Sequence, residues 1–315
     1  MTEGQSGRVI RRPVHGVLLL DKPLGWSSND ALQKVKWLLR AQKAGHTGTL
    51  DPLATGVLPL CFGAATKFSQ LQLDADKEYE AQALLGTTTS TADAEGEVLA
   101  VRPVQVSEQD IARVLPQFLG LIRQTPPMHS ALKKDGKPLY EYARAGIAVE
   151  RLAREVTIYK LNMAIGHVGQ AGTAIDMVVS CSKGTYIRTL AEDIGEALGC
   201  GAHVTALRRT GTGGFSVAQC VSLAALEAMT EHERLACLLP VDALLAPYPV
   251  VRLEAQDSAR FLNGLSRRGN WPDAACVAVY GTEGSLLGTA QVRAGELLPQ
   301  RLLSVQEITD SGKKL

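Results

Sequence analysis

Residues 45–56, with the sequence GHTGTLDPLATG, form the most unusual stretch of this 315-residue chain. Three glycines and one proline among twelve residues disfavour regular structure, so we predict a constrained loop that carries an imidazole, hydroxyl groups and one carboxylate. The carboxylate belongs to Asp51, and Pro52 biases the Asp51 backbone toward an extended conformation. Asp51 is therefore a candidate nucleophile or base, while the ordinary alternative is a turn aspartate that hydrogen-bonds within its own loop.

The patterns on both sides of this loop predict a mixed α/β fold. Residues 16–20 form a continuous apolar run that is typical of a buried strand, and residues 77–85 alternate as a half-buried strand does. Ser27 with Asp30, and Ser107 with Asp110, have the spacing of a capping box and predict two helix starts. Further segments complete the prediction: a strand at 174–181, a helix at 186–198, and short strands at 275–280 and 286–290.

Two segments depart from this pattern and suggest a division of the chain. Residues 123–150 have no sustained period and are rich in Pro, Lys and Arg, so we predict an insertion with one short helix near 139–143. After Pro247, Tyr248 and Pro249, short apolar runs alternate with Gly-containing turns, as in a small β-rich module. We therefore expect a large domain at 1–248, with the insertion at about 123–150, and a module at 249–315.

Composition restricts the class of protein. No apolar run reaches the ~18 residues that a membrane span needs, and residues 1–9 lack the pattern of a signal peptide, so we predict a cytoplasmic protein without membrane attachment. The six cysteines are scattered without a CxxC pair and are expected to be free core thiols. Residues 1–60 and 120–160 each carry eight basic and four acidic side chains. These blocks fit either a polyanion partner or solvated surface.

Several catalytic motifs are missing from the sequence. It contains no GxxxxGK[ST] loop, strand-linked GxGxxG, HExxH or GxSxG pattern, so nucleotide, dinucleotide, metalloprotease and serine-hydrolase chemistry lack their usual support. We predict an activity without metal or cofactor. A lone carboxylate beside basic surface leaves lyase, isomerase and glycosyl-transfer chemistry open.

Six ordered segments resemble the bacterial tRNA pseudouridine synthases of the TruB family, over about residues 14–249. The remaining C-terminal residues resemble the small RNA-binding module called PUA. The segments are the loop quoted above, GVLLLDKPLGWSS at 16–28, KEY at 77–79, PPMHSALKKDGKPLYEY at 126–142, GTYIRTL at 184–190 and AHVTALRR at 202–209.

This resemblance implies a reaction and a fold. The family isomerises uridine 55 in the T-loop of tRNA to pseudouridine, without a cofactor, and the essential carboxylate would be Asp51. Attack on the sugar, attack on the base and abstraction of a sugar proton all remain open for it. The implied fold is α/β (α+β), with a mixed, largely antiparallel sheet through the catalytic domain, a central cleft at Asp51 and an RNA-binding insertion.

The resemblance also implies roles for further residues. Tyr79 would stack on the target base and can move a proton, and Arg188 would hold the catalytic carboxylate ionised through a bidentate ion pair. Tyr186 and Leu207 would line the uracil pocket. His46 would occupy the gap that the flipped uridine leaves in the T-loop stack.

The remaining predicted contacts are with RNA. Lys22 fits a supporting or RNA-facing role, and His129 stands where the family often has a tyrosine. The insertion contributes the second basic block, which suits a clamp that orders on RNA and contains Lys133, Lys134, Lys137 and Arg144.

Two other functions are compatible with these features. One is a related pseudouridine synthase that needs a guide RNA and partner proteins, although this chain lacks the lysine-rich tails of the eukaryotic relatives. The other is a non-catalytic tRNA chaperone. The presence of Asp51, Tyr79 and Arg188 together argues against it. We expect a monomer that binds the T-arm of tRNA without an obligatory protein partner.

Overall fold

A computed structural model describes residues 10–169 and 172–312. In these residues the strands are β1 (Gly16–Lys22), β2 (Ala44–His46), β3 (Ala54–Phe62), β4 (Lys77–Leu85), β5 (Thr87–Thr89), β6 (Val98–Val101), β7 (Gly120–Gln124), β8 (Lys133–Lys134), β9 (Lys137–Pro138), β10 (Arg154–His167), β11 (Thr173–Cys181), β12 (Ala202–Thr212), β13 (Phe215–Ser216), β14 (Val221–Ser222), β15 (Val250–Arg252), β16 (Arg267–Arg268), β17 (Ala274–Tyr280), β18 (Leu286–Arg293) and β19 (Glu296–Leu302).

The helices lie between these strands along the chain, and the last helix follows β19. They are α1 (Ser28–Leu38), α2 (Ser69–Leu73), α3 (Glu108–Val114), α4 (Leu139–Arg144), α5 (Ile187–Ala197), α6 (Leu223–Ala228), α7 (Glu231–Ala236), α8 (Ala255–Leu262) and α9 (Val305–Gly312). Short 3₁₀ helices lie at Gly63–Lys67, Leu115–Phe118, Val217–Gln219 and Val241–Leu245.

In the described part of the chain, ten strands form one central sheet. Its order is β14-β1-β3-β12-β4-β11-β10-β7, with β2 paired to β3 and β13 paired to β12. The pairs β1 with β14 and β3 with β12 are parallel, whereas the other pairs of this sheet are antiparallel. The predicted mixed, largely antiparallel fold is therefore confirmed.

One face of the sheet packs against helices and forms the larger core. Apolar residues of α1, α3, α5 and α6 meet the inward residues of the strands, including Tyr79 and Ala81 of β4. The alternating exposure along β4 fits the period-two pattern, because its odd-numbered residues face this core and Glu78 and Glu80 face outward. Strand β1 is buried along nearly its whole length, which explains its continuous apolar sequence.

A second core joins the sheet to the C-terminal module. Strands β15, β17, β18, β19 and β16 form a five-stranded sheet in that order. Ala278 and Leu303 of this module belong to the same apolar cluster as Val17 of β1 and Phe68. Lys67 strengthens the contact, because its ammonium donates to the Leu302 carbonyl (2.8 Å) and pairs with the Glu307 side-chain carboxylate (2.5 Å). The module is thus docked on the rest of the chain through shared apolar packing.

Local signals in the sequence were accurate for helix starts and less so for loop ends. Ser27 accepts a hydrogen bond from the Asp30 backbone N–H at the start of α1, and a complete capping box precedes α3. The predicted loop at 45–56 is shorter than expected, because His46 and Ala54 already belong to β2 and β3. The insertion predicted at about 123–150 begins after β7 and extends over residues 125–153. It contains the short strands β8 and β9 and the helix α4.

Over the residues that the structure describes, no helix combines the length and apolar character that would cross a membrane.

We expect Leu303→Ala to destabilise the whole chain, because Leu303 is 2% exposed in the shared core. Loss of a buried leucine costs about 2–5 kcal/mol. One cooperative thermal transition should therefore move to lower temperature, as measured by calorimetry. Val305→Ala is the control, because Val305 is 71% exposed. Two separate transitions, of which only the smaller one moves, would contradict the shared core.

Candidate active site

The segment between β2 and β3 holds Asp51 by contacts on both of its sides. Before Asp51, the backbone of Leu50 donates to the Ser28 hydroxyl (2.7 Å), and that hydroxyl donates to the Leu50 carbonyl (2.9 Å). After it, the carbonyl of Pro52 accepts from the Gly25 N–H (2.9 Å). The start of α1 and the loop after β1 therefore fix the position of Asp51, although the loop itself has no regular structure.

Lys22 supports the same loop from inside the protein. It is fully buried, and its ammonium donates to the carbonyls of Trp26 (2.5 Å), Pro23 (2.9 Å) and Pro52 (3.5 Å). Burial lowers the pKa of Lys22 to about 8. The RNA-facing role considered from the sequence is wrong for this conformation, because no part of the side chain reaches the surface.

Arg188, the second residue of α5, pairs with Asp51 as expected but in a different geometry. Its Nη2 lies 2.9 Å from Oδ2 of Asp51, and its Nη1 lies 3.1 Å from Oδ2 of Asp93. The predicted bidentate pair is therefore wrong, since the two nitrogens serve two carboxylates. The carbonyls of Thr91 (3.0 Å) and His129 (2.7 Å) accept further hydrogen bonds from the guanidinium.

Asp93 is a residue of this site that the sequence reasoning missed. Its side chain is 3% exposed, and it accepts from the Glu95 N–H (3.1 Å) and from the Thr91 hydroxyl as well as from Arg188. The only local signal was the turn-like Asp93-Ala94-Glu95-Gly96 stretch, which does not indicate an arginine partner 95 residues away. The structure adds Asp93 as the second acidic group beside Arg188.

The pKa of Asp51 is raised by some neighbouring groups and lowered by others. Burial beside the cleft has the largest effect and raises the pKa of Asp51, and the nearby Asp93 carboxylate raises it further. Arg188 and Lys22 oppose this change. Asp51 is 37% exposed at the cleft, so it is accessible to a ligand while it remains paired with Arg188.

A cavity of about 510 Å³ brings five of the predicted residues together. Tyr79 enters it from β4 and Leu207 from β12, two neighbouring strands at the centre of the sheet. Tyr186, which immediately precedes α5, forms another wall. Asp51 and Arg188 lie at the same cavity, so the carboxylate shares this space with two aromatic rings and a leucine, and the charged Lys77 and Arg209 also line it.

The aromatic hydroxyls of this cavity are held in their neutral form. Burial raises the pKa of both Tyr79 and Tyr186. Arg209 is 1% exposed beside Tyr79 and partly opposes that effect through its charge. Its Nε donates to the Val57 carbonyl (2.7 Å), which anchors the guanidinium to β3.

A second cavity of about 500 Å³ also borders Asp51. His46, His129 and Arg144 line it together with Asp51 and Arg188. Burial lowers the pKa of His46, which favours a neutral imidazole. His46 and His129, for which the sequence predicted RNA contacts, therefore border the pair of Asp51 and Arg188, and His129 also contributes its carbonyl to Arg188.

The basic residues of the insertion are distributed unevenly around the site. Arg144 reaches the second cavity and lies 5.3 Å from the ring of Tyr140. The β8–β9 hairpin carries three exposed lysines that line neither cavity: Lys133, Lys134 and Lys137. These lysines are available to contact a ligand only outside the cleft.

Comparison with known proteins gives the family. Residues 36–187 match the description "TruB family pseudouridylate synthase (N terminal domain)", residues 188–246 the "tRNA pseudouridylate synthase B C-terminal domain", and residues 249–303 "Pseudouridine synthase II TruB, C-terminal". A "tRNA pseudouridine synthase B" of Verminephrobacter eiseniae is 64% identical over 98% of this chain and 94% of its own length. The chain belongs to the TruB family. Another TruB relative, from Ralstonia nicotianae, carries the same name and is 59% identical over 96% of this chain and 99% of its own length.

A solved structure supports the fold of this TruB protein. The crystal structure of a Cbf5-Nop10-Gar1 complex includes a chain that superposes with a TM-score of 0.70 and 26% identity. The match covers 93% of this chain and 87% of that chain. The fold of this chain is thus shared with a protein that is only 26% identical to it.

We expect Asp93→Asn to slow the reaction and to change its pH dependence. Arg188 loses one ionic partner, and displacement of a reacting group by about 1 Å can cost about 100-fold in rate. The Asp93 charge raises the pKa of Asp51, so its removal lowers that pKa and moves the acid limb of the rate profile to lower pH. Single-turnover rates at saturating RNA across pH measure both effects.

The control for this change is Asp176→Asn, because Asp176 lies on the open face of the sheet and bonds Gln82 there. An unchanged rate, or an acid limb that moves to higher pH, would show that Asp93 does not act on the catalytic pair.

Proposed function

We propose that this protein isomerises uridine 55 in the T-loop of tRNA to pseudouridine, with Asp51 as the essential carboxylate. The observation that carries the proposal is the pairing of Asp51 with the buried Arg188 at the mouth of a cavity lined by Tyr79 and Leu207. Its support is the position of this pair in a chain of the TruB family.

The reaction rearranges one nucleotide without net loss of atoms. The bond between N1 of uracil and C1′ of ribose breaks, the free uracil turns, and a bond forms between C5 and C1′. The proton on C5 is then lost while N1 gains one, so substrate and product are isomers. Each open role of Asp51, as nucleophile toward the sugar or the base or as a base toward a sugar proton, needs its carboxylate ionised and held in place.

The other cleft residues would bind and orient the flipped base. Tyr79 would stack on the uracil, and Leu207 and Tyr186 would complete an apolar pocket that excludes water. Arg188 would hold Asp51 in position and favour its charged form. His46, whose neutral ring borders the second cavity, would fill the gap in the T-loop stack.

The rest of the chain would grip the tRNA. We assign residues 1–248 to the catalytic domain and residues 249–315 to a PUA-type module, and we place the clamp in the insertion with Lys133, Lys134, Lys137 and Arg144. The relatives are named as enzymes that act on tRNA, so we propose that this protein acts on tRNA in the cytoplasm. We further propose that it is a monomer that needs no protein partner and no cofactor.

Asp51→Asn should abolish turnover while the affinity for tRNA stays within about tenfold, or ~1.4 kcal/mol. The substitution keeps the shape of the side chain and removes its charge. Purified protein is incubated with an unmodified tRNA transcript, and pseudouridine is mapped at base resolution. Asp176→Asn is the matched control, because it removes a carboxylate from the open face of the sheet.

The same experiment separates the competing functions. Product that appears only after a guide RNA is added would indicate the guide-dependent class, and tRNA refolding without product would indicate a chaperone. Conversion by Asp51→Asn above a few percent of the wild-type rate would contradict the role of Asp51.

Replacing Lys133, Lys134, Lys137 and Arg144 together with alanine should weaken the salt dependence of tRNA binding. Each phosphate contact changes log affinity with log salt by ~0.7 to 0.9, so the slope should flatten by roughly two to four units. KM should rise while the single-turnover rate at saturating RNA stays nearly constant. Arg102 and Arg113 changed to alanine serve as the control, since each already pairs with a carboxylate. An unchanged slope would identify the cluster as solvated surface.

A further inference from the structure

A buried amide joins the base of the insertion to the start of the catalytic helix. Gln124 is the last residue of β7 and is 2% exposed. Its Oε1 accepts from the backbone N–H of Tyr186 (3.0 Å), and its Nε2 donates to the carbonyl of the same residue (3.3 Å). One side chain thus bonds both backbone groups of a residue 62 positions away, and it is the partner of the Tyr186 N–H, whereas the Tyr186 carbonyl also accepts from the Leu190 N–H of α5 (3.0 Å).

The N–H of Tyr186 needs such a partner because of its place in the chain. It precedes the first residue of α5, and its own side chain makes no capping hydrogen bond there. The body of α5 is fixed by apolar packing, through Ile187, Leu190, Ala191 and Ile194. The amide of Gln124 therefore holds the Tyr186 backbone in place. That backbone carries the Tyr186 side chain, which forms a wall of the cavity, and it leads directly into α5, where Arg188 is the second residue.

The segment after Gln124 contacts the same helix start a second time. The carbonyl of His129 accepts from Nη2 of Arg188 (2.7 Å), which is also the nitrogen that pairs with Asp51. The two ends of the insertion are tied together, because Arg151 donates to the carbonyl of Pro126 (2.9 Å). The insertion is consequently connected to the catalytic pair through its first few residues, 124–130.

A space-filling role would not require an amide. An apolar side chain of similar length would fill the same volume and would avoid burying polar atoms, whereas the amide hydrogen bonds are directional and fix one backbone orientation. The Gln124 amide has one donor, which faces the Tyr186 carbonyl, and one acceptor, which faces the Tyr186 N–H. Both hydrogen bonds can form in only one orientation of the amide.

We infer that Gln124 is a positioning residue, which holds Tyr186 and Arg188 in register with the insertion that grips the RNA. The inference rests on the proposed function. Gln124 does not touch the reacting atoms; it acts on the reaction through the backbone of Tyr186 and the orientation of Arg188 toward Asp51.

The test compares Gln124→Met, Gln124→Glu and the control Gln82→Met. Methionine keeps the length and removes both hydrogen bonds, and Gln82 offers a matched amide on the open face, where it bonds Asp176 (2.8 Å). The full-length proteins are assayed for single-turnover conversion at saturating tRNA, for tRNA affinity and for thermal unfolding. We expect Gln124→Met to lower the saturated rate about 10- to 100-fold and to change the affinity less than about threefold, while Gln82→Met matches wild type.

Gln124→Glu supplies a readout that a loss of packing would not produce. An ionised carboxylate accepts from the Tyr186 N–H but repels the Tyr186 carbonyl, whereas the protonated acid donates one hydrogen bond and accepts one, as the amide does. The rate of this variant relative to wild type should therefore rise as the pH falls toward the pKa of the new carboxyl. An effect of the new charge on Asp51 would change the ratio in the opposite direction, because a raised Asp51 pKa leaves less ionised Asp51 as the pH falls.

The outcomes separate the two proposals. If wild type forms no pseudouridine, the proposed function fails and the inference fails with it. If wild type is active and folded Gln124→Met keeps its saturated rate within about twofold, the inference alone is wrong. If methionine prevents folding, the pH-dependent recovery of Gln124→Glu decides, and failure of both variants to fold would identify Gln124 as a folding residue only.

Discussion

The buried guanidinium of Arg188 is the interaction on which the site depends. Its side chain is 6% exposed, and an unpaired charge at that depth would cost several kcal/mol. Two carboxylates, Asp51 and Asp93, and two backbone carbonyls surround it. These partners come from three separate segments of the chain, so the loop after β2, the turn after β5 and the start of the insertion are brought to α5 by the same requirement.

The sheet makes this arrangement possible by placing its central strands beside the loop. Strands β3 and β12 run parallel only over residues 54–56 and 207–209, immediately after the Asp51 loop. Their approach is close, since a Cβ on Gly56 (φ +101°) would lie 2.2 Å from the Arg209 carbonyl oxygen. Glycine is therefore required at this crossing for both its backbone angle and its size. Gly45, another glycine of the predicted loop, lies in β2 with open space around it.

Short-range signals in the sequence predicted the elements, whereas the partners within the site depended on long-range contacts. Capping pairs at Ser27 and Ser107 and the alternation in β4 are set by neighbours within a few residues, and each was confirmed. The TruB resemblance supplied the candidate site, but neither Asp93 nor the division of Arg188 between two acids has a local signal. Lys22 illustrates the same limit, because only the folded chain shows that its ammonium faces three carbonyls inside the protein.

The insertion, which we propose as an RNA clamp, lies away from the strands that build the site. Within the described sheet, Tyr79 and Leu207 come from the central strands β4 and β12, whereas the insertion leaves from β7 at the edge and returns in β10. A long excursion at an edge strand leaves the central pairings intact, so the cleft does not depend on the clamp for its strand register. The insertion nevertheless reaches the site through its first residues, because Gln124 at the end of β7 bonds Tyr186 and the carbonyl of His129 accepts from Arg188. A change in the position of residues 124–130 would therefore act directly on the start of α5 and on the pair of Asp51 and Arg188.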